Sequence, residues 1–95
     1  MSTATTGGEI RELTTLQAFE AAVAAGQGFL VITDRSTPTH IHRAKCPAIA
    51  ANHFVTKVVT NGGRRGRYYH ATDLATAQAR FTARLCGVCH PERPD

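Results

Sequence analysis

The sequence predicts a small α+β domain, with a mainly antiparallel sheet and two principal helices, on three observations. Leu16, Phe19 and Val23 recur at helical spacing near the start, as do Leu74, Ala77, Phe81 and Leu85 near the end. Between them lie short apolar, β-branched runs of strand length, Phe29 to Thr33 and Phe54 to Val59. Lastly, His42 and Cys46, and farther on Cys86 and Cys89, form two local pairs of metal-binding side chains. With 95 residues, 42% of them hydrophobic, the chain supports one modest core that a metal staple would reinforce.

Taken in order, Met1 to Gly8 are small, polar and without periodicity, and are expected to form a disordered tail. A single domain is expected over residues 9–91, followed by a short tail at 92–95. Thr14, with Gln17 three positions on, offers a helix N-cap, and Gly26 a stop, which predicts a helix from Thr15 to Ala25. Phe29 to Thr33, bounded by Gly28 and the polar stretch Asp34 to Pro38, reads as a buried central strand. Thr39 to His42 reads as a second strand leading into the first ligand pair, with His40 expected to face away from His42 and Cys46-Pro47 turning the chain.

Phe54 to Val59 and Tyr68 to His70 both have strand composition, and the three glycines among residues 61–67 permit a hairpin between them. Arg64, Arg65 and Arg67 are then expected at its exposed tip. Thr72 or Asp73 can cap a last helix that runs to Leu85 and stops at Cys86-Gly87, delivering the second ligand pair.

Cys86-Gly87-Val88-Cys89 suits a tight knuckle aiming two thiolates at one tetrahedral ion, and the distant His-x3-Cys pair can complete the shell. We therefore predict one structural Zn2+ held by His42, Cys46, Cys86 and Cys89. His40, His53, His70 and His90 compete with His42 for the fourth position, but His90 adjoins Cys89 and would have to point away. Cys-x2-Cys-His is also a haem attachment pattern, yet that cofactor requires export and a second axial ligand, and the only methionine is Met1. A redox Cys-x2-Cys would precede a helix, whereas here the pair is expected to follow one.

His42-Arg43-Ala44-Lys45-Cys46 and Cys86-Gly87-Val88-Cys89, with a strand and apolar-faced helix between them, resemble the Ada-type metal-binding domain over roughly residues 39–91. The resemblance implies a zinc-bound module that contacts nucleic-acid backbone beside the metal, through Arg43 and Lys45. It also implies that methyl acceptance is absent, because His42 stands where that family carries the acceptor cysteine. The N-terminal helix and the Phe29 to Thr33 strand lie outside the matched region.

Charge points the same way. Two basic and four acidic residues lie up to Thr39, against nine basic and three acidic after it. DNA or RNA is accordingly one expected partner, met by Arg43, Lys45, Arg64, Arg65, Arg67 and a stacking Tyr68. The alternative is a zinc-stabilised protein-interaction module using the alanine-rich N-terminal helix, with part of the positive charge only compensating the thiolates. An enzyme is disfavoured: no Gly-rich phosphate loop or nucleophile elbow is present, and Asp34 and Asp73 have turn and cap explanations. A thiolate-based reaction would require His42 to leave an exchangeable position. No leader-like opening and no apolar stretch of roughly 20 residues is found, so a cytoplasmic protein is expected.

Overall fold

The computed structural model describes residues 8–91, which form an α+β fold with helices on both faces of a five-stranded, mostly antiparallel sheet. In chain order the elements are β1 (Ile10–Leu13), α1 (Leu16–Ala25), β2 (Phe29–Ile32), β3 (His40–Arg43) and α2 (Ala51–Phe54), which continues as a π-helical segment (Val55–Thr60). Then come β4 (Tyr68–Ala71), α3 (Leu74–Arg80) and β5 (Arg84–Leu85). Spatially the strands run β1-β4-β2-β3-β5, and only β3–β5 is a parallel pair. Among the described residues no helix is long and apolar enough to cross a membrane.

Helix α1 forms where the apolar spacing predicts it. Its N-cap is Thr15 rather than Thr14, the hydroxyl accepting from the Ala18 N–H at 3.1 Å. Gly26 closes it in the left-handed region at φ 67°, where its lack of Cβ is needed. Asp73 caps α3 as expected, accepting from the Thr76 N–H at 2.7 Å.

Alternation along β2 and β4 divides the core in two. Leu30 and Tyr68 face α1 and α2 and join Leu13, Phe19, Ala22 and Phe54. Val31 and Ala71 face the other side with Ile41 and Ala77, under α3. The first cluster is the aromatic one: Phe19 and Phe54 stack at 4.6 Å between centroids, and Tyr68 meets both rings edge-on.

Several expectations are corrected. Phe54 to Val59 is helical, not a strand. Phe54 is buried, Lys57 and Val58 half-buried, and Thr56 and Val59 exposed, a helical burial pattern that overrides the β-branched composition. No 54–59/68–70 hairpin therefore exists, and β4 pairs instead with β1 and β2. Helix α3 ends at Arg80, because residues 84–86 pair with the outer edge of β3. Arg84 N donates to Thr39 O at 2.8 Å and Cys86 N to Ile41 O at 3.0 Å, satisfying carbonyls that a longer helix would leave unpaired. His40 and His42, two residues apart in a strand, share one face, their rings 6.2 Å apart. Strand β1 was not foreseen. Of the expected tails, residues 1–7 and 92–95 lie outside the described residues, while Gly8 is docked, its N–H donating to Thr76 Oγ1 at 2.9 Å.

The β2–β4 ladder runs on past both strands. Thr33 N bonds Arg67 O at 2.9 Å and Arg35 N bonds Arg65 O at 2.8 Å, which carries the arginines onto a sheet extension. Gly66 is buried in this extension. A Cβ there would collide with the Thr33 carbonyl oxygen and come within 3.0 Å of Lys57 Cδ. Gly66→Ala is expected to cost about 2 kcal/mol through overpacking, read as a lowered denaturation midpoint at unchanged slope.

Candidate metal centre

The parallel β3–β5 pairing assembles the site. Its register sets His40 beside Arg84 and Ile41 beside Leu85, and one further step brings Cys86 next to His42 on the same sheet face. A tight turn after β3, closed by Cys46 N to Arg43 O at 3.0 Å, brings Cys46 back to the same place. The knuckle is closed by His90 N to Cys86 O at 3.1 Å. His42, Cys46, Cys86 and Cys89 thus each offer a ligand atom, and these atoms all lie within 4.8 Å of one another. Cys46 and Cys86 are buried, with their sulfurs 3.8 Å apart. Thiolates bound at about 2.3 Å to one tetrahedral ion are separated by about 3.8 Å, whereas a disulfide holds sulfurs about 2.05 Å apart. The arrangement is compatible with a zinc site.

Two further observations fit a cation. Among the described residues His42 Nδ1 is a buried nitrogen without a hydrogen-bond partner, an omission that a metal–nitrogen bond would remove. Backbone N–H groups also point at the sulfurs, Val88 N to Cys86 Sγ at 3.3 Å and Arg43 N to Cys89 Sγ at 3.2 Å, the kind of outer-shell support that steadies thiolate ligands.

The acid–base character of the ligands is uneven. Burial, and then the neighbouring His40, hold the His42 imidazole below its usual pKa, favouring the neutral donor form. Burial pushes the Cys46 thiol up to about 12. At Cys86 burial also resists ionisation, but the backbone N–H groups of Cys89 and Val88 outweigh it and bring this thiol below its ordinary value. Deprotonation is thus easier at Cys86 than at Cys46.

Comparison with known proteins matches the chain to no family model, no curated protein and no solved structure.

The competing histidines fall outside the cluster. His40 Nδ1 lies 2.9 Å from Pro38 O, and His70 Nε2 lies 2.9 Å from Gln27 O. His53 is exposed on α2, and His90, in the left-handed region at φ 47°, is not among the four clustered residues. The cysteine pair follows a strand rather than the expected helix, and among the described residues no helix begins after it, as a redox pair would require.

The residues expected to meet nucleic acid separate. Arg43 ties the knuckle down, its guanidinium donating to Cys89 O at 3.1 Å and His90 O at 3.2 Å, so its role is structural. Lys45 is exposed on the turn between ligands. Tyr68 is 3% exposed inside the aromatic cluster and has no face to stack on a base. Arg67 lies 3.5 Å from Glu12. Arg64 and Arg65 are exposed and line a polar cleft of about 660 Å3 together with Arg35, Ser36, Thr60 and Asn61. Arg35 escaped the sequence reading, since only the extended β2–β4 register reveals that it lies opposite Arg65.

Proposed function

We propose that the protein is a small zinc-stabilised module in which His42, Cys46, Cys86 and Cys89 bind one structural Zn2+, and which holds nucleic-acid phosphates on Arg35, Arg64 and Arg65. The gathering of four ligand atoms within 4.8 Å supports the zinc reading. The phosphate reading is carried by the convergence of three guanidiniums on one cleft. Among the described residues none of the three is in an ion pair, and the nearby carboxylate, Asp34, is held at 2.8 Å by Lys57 instead. In this reading the likeness to the Ada-type domain extends to the zinc and the nucleic-acid partner but not to methyl acceptance, because an imidazole fills the fourth position.

The test is binding of a fluorescent oligonucleotide, followed by anisotropy across a salt series, with zinc measured on the same sample. The native chain is expected to carry one zinc and to lose affinity steeply with salt. The triple variant R35A/R64A/R65A should keep its zinc and fold while the salt slope flattens by about 2, at roughly 0.7 per phosphate contact for a single strand. Indifference of both chains to nucleic acid would overturn this reading and leave the protein-interaction alternative.

A further inference from the structure

We infer that the pocket behind the arginine cleft takes one unpaired nucleobase while the arginines hold its phosphate, so that the chain selects single-stranded or extruded nucleotides. The inference rests on the nucleic-acid reading above and specifies the form of nucleic acid recognised.

The pocket, about 430 Å3, lies between the α2 face of the sheet and the helical segment after it. That is within the range of roughly 300–1,000 Å3 typical of small-ligand clefts. Asn61 and Arg65 line both the pocket and the arginine cleft, so the two cavities adjoin and one nucleotide can span them. Ile32 and Ile49 supply apolar surface for the faces of a planar ring. His53, Thr56 and Asn61 also line it, and among the described residues their side chains make no hydrogen bond, leaving donors and acceptors for a base edge. Lys57 and Asp34, which also line it, neutralise each other and so do not oppose a neutral base.

The pocket's position determines the pairing state. The pocket is an open groove between sheet and helix, and a base lays its ring face against Ile32 and Ile49 there only after it has left a duplex stack. One wall is the π-helical segment Val55–Thr60, whose Asn61 N–H reaches back five residues to Thr56 O at 3.1 Å. Such wide turns are rare and occur frequently at functional sites. His42 lines the same pocket, so one metal ligand also shapes the proposed base site.

The experiment compares single-stranded and duplex oligonucleotides of one sequence by anisotropy, using the native chain and A48L/A50L. Both alanines line the pocket, neither is buried, and Ala50 makes no side-chain cap bond, so the added volume enters the cavity without disturbing the core. The native chain should bind the single strand about ten-fold tighter than the duplex, and A48L/A50L should lose that preference at an unchanged melting temperature. A nucleoside 5′-monophosphate competing as strongly as the oligonucleotide supports the pocket with a free nucleotide as ligand. Weak competition, together with the A48L/A50L loss, supports a nucleotide held within a strand. Equal binding of strand and duplex, unaffected by A48L/A50L, overturns the base pocket while leaving the phosphate reading standing. No binding to any probe overturns both.

Discussion

Cys86→Ser is expected to abolish cooperative folding, and chelation of the native protein should produce the same state. Structural zinc sites contribute about 10–16 kcal/mol of binding free energy at neutral pH, while a domain of this size holds only about 5–15 kcal/mol of total stability. The described residues place seven buried side chains in one core cluster and four in the other, so little apolar packing stands in reserve. Cys86 is the residue to change because its thiol belongs to the candidate metal cluster, accepts the Val88 N–H, and its own N–H continues the β3–β5 ladder. Loss of the thiolate therefore undoes the knuckle and the short strand together. The measurement is a thermal melt by circular dichroism with zinc quantified before and after denaturation. His42→Cys separates the roles: a fourth thiolate can still complete the shell, so this variant should retain zinc and a cooperative melt, whereas His42→Ala should lose both. Metal-free native protein with an unchanged melt would defeat the structural reading of the site.

Why the ligands were legible and their assembly was not follows from the range of each signal. His42 with Cys46, and Cys86 with Cys89, are local pairs, and local spacing survives errors in the surrounding elements. What unites them is β5, two residues long, whose Leu85 continues the helical periodicity of α3, so pattern alone extends the helix through it. Only the unpaired edge of β3 decides the matter. Tyr68 and Tyr69 show a related limit: adjacent strand residues must face opposite sides, but which tyrosine joins the core depends on where α1 and α2 pack. Arg43 was read as a surface cation, and nothing in its neighbours announces that carbonyls of Cys89 and His90, distant in sequence, receive its guanidinium. The arginine cleft was half legible for the same reason, since Arg64 and Arg65 are contiguous and Arg35 joins them only through strand register.

The largest departure, the helical course of Phe54 to Thr60, carries its own decisive test. Composition favoured a strand, with Val55, Thr56, Val58, Val59 and Thr60 all β-branched. Packing favours a helix: Phe54, fully buried, and Val58, half-buried, lie four residues apart on one face against the same core cluster. The burial term is larger. Propensity differences amount to at most about 1 kcal/mol per residue, while truncating a buried phenylalanine costs about 3–5 kcal/mol. Phe54→Ala is accordingly expected to remove most of the packing stability, because the ring stacks on Phe19 at an interplanar angle of 18° and meets Tyr68 edge-on at 5.0 Å. Paired with Phe19→Ala in a double-mutant cycle, it should show a coupling of about 0.5–1.5 kcal/mol from the ring contact itself. Zinc-loaded protein should be used for denaturant unfolding, so that the staple keeps the variant folded enough to measure. A cost below about 1 kcal/mol is the value expected of a solvent-facing strand residue. That outcome would mean that α2 does not dock on α1, and the wall of the proposed base pocket would go with it.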